Sequence, residues 1–252
     1  MNLHRYSLSL VLVGAVAVSA CAKDPSKSAP AAKVEEPKKE EPKAEEPKKE
    51  EAKVEAPAAA TPVAAPGAAS PTAAGPALTF PGVALTGSIH AIGSKVTGAH
   101  ELNFKEWKGS FEAKDGKAEG GKLEFQVQMA SLEEVVKERS EWVDKLEGHL
   151  KGPDFFDVAA QPTTSFVASE IKAGGDAAVP GTTHSVKGNL TLKGVTKEVT
   201  FPATIAVAGK DVTAKAEFSI NRKDFGIVYA GKPDDLIRDG VVLKIDLKGT
   251  LP

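Results

Sequence analysis

Residues 80–252 predict an all-β domain of seven or eight antiparallel strands with one helix, arranged as a closed barrel or a sandwich. Three observations predict it. Apolar residues recur with period two in most segments from residue 95 onward, Gly-rich breaks separate these segments, and a single segment switches to helical spacing.

The strand segments follow in order. Residues 95–104 and 108–114 alternate first. In KLEFQVQM (122–129), Leu123, Phe125, Val127 and Met129 share one face. Residues 163–171 and 184–193 come next, then EVTFPATIAV (198–207), with Val199, Phe201, Ala203, Ile205 and Val207 on one side. Ala216, Phe218 and Ile220 alternate with polar neighbours, as do Leu243, Ile245 and Leu247. Breaks at 115–121, 173–181, 194 and 208–210 read as turns. SLEEVVKERSEWVDKLEGHLKG (131–152) opens with Ser131 and Glu134 in a capping-box pattern, and Val135, Trp142, Leu146 and Leu150 recur at helical spacing, which predicts a helix over 132–147 ending near Gly148. Closing such a sheet removes its edges, and an eight-stranded barrel is just wide enough to be filled by side chains or to hold one small ligand.

The N-terminal third reads differently. A polar start with Arg5 precedes an apolar run, Leu8–Val18, and the small residues Ser19 and Ala20 precede Cys21. This is the pattern of an export signal over residues 1–20, too short to span a bilayer. Cys21 is the only cysteine, so it has no internal disulfide partner. The arrangement resembles the lipobox of bacterial lipoproteins, in which this cysteine is lipidated and anchors the chain, and Ala22 implies the outer membrane. Residues 21–79 predict a tether. Glu-Glu-Pro-Lys repeats at five-residue spacing through 33–55, followed by Ala, Pro, Thr, Ser and Gly, with nothing large and apolar to offset the entropy of ordering. At ~3.1 Å per residue such a chain reaches over ~100 Å. The whole chain carries 32 Lys/Arg and 34 Asp/Glu, with ten of each before residue 80. The domain is therefore nearly neutral and offers no electrostatic case for nucleic acid.

No set of residues assembles into a catalytic pattern. Asp224-Phe225-Gly226 matches a kinase magnesium motif, but the Gly-rich loop, the Val-Ala-Ile-Lys strand and the His-Arg-Asp loop are missing. His100-Glu101 opens a zinc-protease motif whose second histidine is replaced by Phe104, on a strand rather than a helix. His149, Asp154 and Asp157 read more simply as part of a helix-to-strand connection anchored by Phe155 and Phe156. Three polar residues share the apolar faces: His100 with Leu102 and Phe104, His184 with Val186 and Leu190, and Arg222 with Phe218 and Ile220. Each is either a satisfied core or rim group or a partner for a ligand head group, and Arg222 needs an anionic or hydrogen-bonding partner, with Asp224 and Asp239 as candidates.

Four stretches carry a resemblance to one family: HLKGPDFFDVAAQPTTSFVASEI (149–171), VKGNLTLKGVTKEVTF (186–201), INRKDFGI (220–227) and IRDGVVLKIDLKG (237–249). Their order resembles the YceI-like family of bacterial envelope proteins. The family's usual first strand has no clear counterpart before residue 122. The resemblance implies an antiparallel eight-stranded lipocalin-like β-barrel with an apolar tunnel. Such a barrel binds a polyisoprenoid or another long-chain amphiphile, such as a quinone or fatty lipid, without transforming it. Phe104, Phe125, Val127, Phe166, Leu190, Leu192, Phe201, Phe218 and Ile220 supply the compatible interior, with His100, His184 and Arg222 as head-group candidates. Burying lipid there is favourable by roughly 25 cal/mol per Å² of apolar area. The alternative is a filled barrel serving protein contacts in a structural or stress-related envelope protein; parity alone does not separate the two.

Overall fold

The computed structural model of the chain describes residues 23–37 and 78–252. Cys21, the export signal and most of the tether lie outside the described residues. In chain order the first strands are β1 (Lys33–Glu35), β2 (Val83–Ala84), β3 (Thr86–Ser94), β4 (Ala99–Phe104), β5 (Trp107–Lys114), β6 (Lys117–Gln128) and β7 (Leu132–Glu134). Helix α1 (Glu141–Lys151) follows, then β8 (Thr163–Ala173), β9 (His184–Leu192), β10 (Val195–Ala208), β11 (Asp211–Asn221), β12 (Gly231–Lys232), β13 (Asp235–Leu236) and β14 (Gly240–Thr250).

Turn chemistry sets the hairpins. Asp115-Gly116 joins β5 to β6 and Lys193-Gly194 joins β9 to β10, both residues of each pair having positive φ. Two-residue turns of this kind match the twist of the strands they connect.

All strand pairings of the main sheet are antiparallel, and it curls in the order β5-β6-β8-β9-β10-β11-β14-β3-β4. The passage Val83–Ser94 completes the circuit at one end. Its first residues, β2, pair with β5, and the remainder, β3, pairs with β14. Counted as one member, that passage makes the eight-membered circuit the family resemblance implies. At the other end the ladder stays open between β4 and β5, with β7 attached to the outer edge of β4. The molecule therefore has a closed end and an open end.

The closed end is filled by buried Phe111, Leu123, Ile171, Val186, Val212 and Leu247. Toward the open end an aromatic series crosses four strands. Phe125 stacks on Phe166 at 5.2 Å, Phe166 tilts against Phe201 at 5.6 Å, and Phe201 lies on Phe218 at 4.1 Å and 8°. Gly188 on β9 makes room for this series, since a Cβ there would lie 2.6 Å from Phe166 Cζ and 2.4 Å from the Val167 carbonyl oxygen.

Three features differ from the sequence expectation. The helix begins at Glu141, not 132: Ser140 caps it through Val143 N–H at 3.4 Å, and Gly148 lies within it. Leu132–Glu134, read as its first turn, forms β7 instead, because Leu132 is fully buried opposite Phe104. The first barrel strand, β3, lies before the predicted 95–104 segment, whose own strand is only Ala99–Phe104.

The tether differs as well. Its described part, 23–37, is bound to the barrel. Asp24 caps a 3-10 turn at Pro25–Lys27, and Ala29 is buried. Ala32 N–H donates to Ser219 O at 2.8 Å, and Ser219 N–H donates to Pro30 O at 2.7 Å. β1 then pairs with Glu198–Thr200 of β10. Space exists there because β10 pairs with β11 only from Thr204 onward, leaving the edge at 198–200 unpaired by any barrel strand. Lys197 pairs with Glu36 beyond it. The strap is held by main-chain pairing more than by apolar burial, so a charged Lys-Val-Glu segment suffices.

Candidate functional site

At the open end the curled sheet surrounds an apolar cavity of about 140 Å³. All nine interior residues expected from parity line it: Phe104, Phe125, Val127, Phe166, Leu190, Leu192, Phe201, Phe218 and Ile220. The barrel is thus filled at one end and hollow at the other. A cavity of ~150 Å³ lined by aliphatic and aromatic groups holds a ring the size of benzene. The space accommodates a short branched segment of a lipid as it stands, and a longer chain must displace the groups that cover the mouth.

Those groups do not come from the sheet. Leu150 of α1, Phe155 and Phe156 after it, Ile227 and Ile237 complete the lining. Parity could not find them, because they lie outside the strands; the paired Phe155-Phe156 was the one signal. His149 Nε2 lies 3.3 Å from Asp154, and its ring meets Phe155 at 5.0 Å and Tyr229 at 5.1 Å, so it packs the mouth. A second depression, about 370 Å³, opens outward from the cavity and shares Gly93, Leu102, Leu150, Phe155 and Ile237 with it.

The three polar candidates have separate fates. Arg222 reaches the cavity wall with only 4% of its surface exposed. Its guanidinium donates to the carbonyls of Ile227 (2.6 Å), Arg238 (3.0 Å) and Ile237 (3.3 Å), and to Asp239 Oδ1 (3.3 Å). Burial pushes its pKa down and Asp239 opposes that. The partner is Asp239 and not Asp224, and four of the five guanidinium N–H groups are engaged within the protein. Asp224-Phe225-Gly226 completes this corner: Phe225 is fully buried, and Gly226 takes the left-handed φ of 72° that ends the turn.

His100 sits at the rim, in the outer depression. Its Nδ1 lies 2.5 Å from Glu134 Oε1 and its ring meets Trp142 at 5.3 Å. His184 is not at the site. It starts β9 at the closed end, opposite Ala203 and Ala173, bonded to Thr183 Oγ1 at 2.7 Å. The parity of its strand was right, but strand direction put it at the wrong end. Burial pushes its pKa down, with Glu119 opposing.

Sequence reasoning also missed Thr164. It lines the cavity, and its buried hydroxyl has no hydrogen-bond partner. Arg238 also lines the cavity, donating to Lys95 O at 2.7 Å, with Asp24 of the strap 3.7 Å away. Among the described residues, no group of three or more His, Cys, Asp or Glu could hold a metal ion.

Curled antiparallel sheet, single helix and one-ended apolar cavity together define a lipocalin-like barrel. Residues 81–249 match the YceI-like domain, and the chain belongs to that family. It is 35% identical over 130 residues to a UPF0312 protein of Pseudomonas putida, covering 49% of this chain and 62% of the relative. It is 34% identical over 152 residues to a UPF0312 protein of Pseudomonas fluorescens, covering 58% and 71%. The chain thus spans less than two thirds of the P. putida relative's length. Among solved structures, Burkholderia cenocepacia BcnA superposes with a TM-score of 0.54 at 26% identity, covering 65% of this chain and 96% of that one. A polyisoprenoid binding domain from Saccharophagus degradans superposes with a TM-score of 0.50 at 16% identity, covering 68% and 99%, a likeness of fold.

Proposed function

We propose that the protein is an envelope lipoprotein whose barrel binds and carries an isoprenoid or another long-chain amphiphile, anchored through acylated Cys21 on the periplasmic face of the outer membrane. The observation that carries this reading is the cavity: a void within an otherwise well-packed core, lined almost wholly by apolar side chains at the open end of the sheet. Natural interiors rarely leave such space unfilled, because every void forfeits dispersion contacts. The polyisoprenoid-binding description of the Saccharophagus degradans neighbour is consistent with it.

In this reading the barrel binds its ligand without transforming it. A single apolar segment enters the cavity between α1 and the 227–237 loop, and its desolvation drives binding. The second reading, a barrel serving protein contacts, is favoured only by the modest volume. Native mass spectrometry of the purified chain, with organic extraction and identification of the extract, separates them. An extracted lipid of this class supports the carrier. A ligand-free protein that also refuses prenyl lipids offered in detergent supports the second reading.

A further inference from the structure

We infer that the open end of the barrel is a bilayer-contacting surface, so that the cavity mouth faces the lipid from which it loads; this rests on the carrier reading above. Two independent observations lead there.

The first is where exposed apolar side chains fall. Among the described residues six large ones are exposed: Val96, Val135, Val136, Trp142, Val228 and Leu236. Five of them are tied to the mouth by contacts, and Val136 directly follows Val135. Val96 N–H donates to Leu236 O, and Leu236 faces Gly231, which lines the outer depression with Trp142. Val135 N–H donates to Glu101 O beside His100, on which the Trp142 ring packs. Val228 adjoins Tyr229, whose ring meets cavity-lining Phe155 at 5.4 Å. Scattered single exposures need no explanation, but confinement to one rim does. Trp and Tyr beside aliphatic residues suit the boundary between lipid and water. Charges at the rim are largely matched: Lys95 pairs with Asp235, Lys145 with Glu141, and Arg139 with Asp144. Contact is therefore made by apolar burial and does not need anionic lipid.

The second observation is the strap. Asp24 lies 3.7 Å from Arg238, which lines the cavity, and Ser26 covers Gly240 at the start of β14. Cys21 precedes Asp24 by three residues, at most about 11 Å of extended chain. A lipid on Cys21 thus holds the mouth end close to the membrane. Only Ala22 separates Cys21 from the described strap, so the Lys/Glu/Pro repeat does not stand between the anchor and the barrel.

The test uses the unacylated chain starting at Ala22 with Trp107→Phe, which leaves Trp142 as the sole tryptophan. It is mixed with phosphatidylcholine vesicles carrying brominated acyl chains. Blue-shifted, quenched Trp142 emission is expected, and Val228→Ser with Leu236→Ser should weaken partitioning about tenfold without lowering the melting temperature. Unquenched emission, or equal partitioning by the serine variant, overturns the inference. Uptake of a prenyl lipid from detergent micelles is measured in parallel. Uptake without vesicle contact overturns the docking alone, whereas absent uptake overturns the carrier reading on which it rests.

Discussion

The guanidinium of Arg222 donates to the main-chain carbonyl of Ile227 at 2.6 Å, tying the end of β11 to the loop that covers the cavity mouth. With its bonds to Ile237, Arg238 and Asp239 it fixes both ends of the 227–237 loop. Arg222→Met should leave three carbonyls without their donor and Asp239 with only its Lys223 partner, lowering stability by about 3 kcal/mol. Arg222→Lys should restore little of it, since an ammonium cannot reproduce the planar fork. Urea denaturation of the three proteins checks this, and unchanged stability in the Met variant contradicts the clamp.

The strap depends on the bare backbone of Gly240. A Cβ there would lie 2.3 Å from Ser26 Oγ and 2.5 Å from Ser26 Cβ. Gly240→Ala should displace residues 23–37 while the barrel stays folded, speeding exchange of the Ala32 amide about tenfold or more. Adding Ser26→Gly should restore protection. Hydrogen exchange read by NMR follows the Ala32 and Ser219 amides directly.

Much of this architecture was legible in the sequence, and the exceptions have physical reasons. Period two identified the nine cavity residues because alternation decides which face a side chain takes. It did not say how far along the barrel each lies, so His184 fell at the closed end and His100 only at the rim. β3 was missed because Gly87, Ser88, Gly93 and Ser94 dilute its alternation. The capping-box match at Ser131 misled because Leu132 gains more from burial against β4 than from starting a helix. The strap was invisible because main-chain pairing has no compositional signature, and its Lys-Val-Glu looks like the rest of the repeat.

Helix α1 is held to β7 by a carboxylate. Glu147 accepts from Arg139 at 3.1 and 3.0 Å and from the Glu134 amide at 2.9 Å. Burial opposes its ionisation, but the Arg139 and Glu134 hydrogen bonds outweigh that and hold its pKa below the ordinary 4.5. A depressed carboxylate stabilises the fold fully above its unfolded pKa and loses that contribution as pH falls through the folded one. Docking of α1 should therefore weaken as pH drops below about 4.5. Melting temperatures between pH 6 and 3 should fall more steeply for the native chain than for Glu147→Gln, which should be weaker at neutral pH.

The unpartnered hydroxyl of Thr164 gives a further expectation. Thr164→Val keeps the shape and removes a buried polar group, so the ligand-free protein should gain about 1 kcal/mol. If the bound amphiphile presents a hydroxyl or carbonyl to this position, the same change should weaken its binding about fivefold. Denaturation midpoints and a binding titration read the two effects separately.

In the proposed function the void enclosed by Phe166, Phe201 and Phe218 receives a lipid chain. Equilibrium uptake of a radiolabelled prenyl alcohol from detergent micelles, by the native chain and by Leu190→Trp, tests it most directly. Leu190 lines the cavity, and the larger ring should occupy it at a stability cost of about 1–3 kcal/mol, which a melting curve confirms is tolerated. Saturable uptake of one lipid per chain is expected for the native protein and none for the folded variant. Equal uptake by both, or none by either, would contradict it.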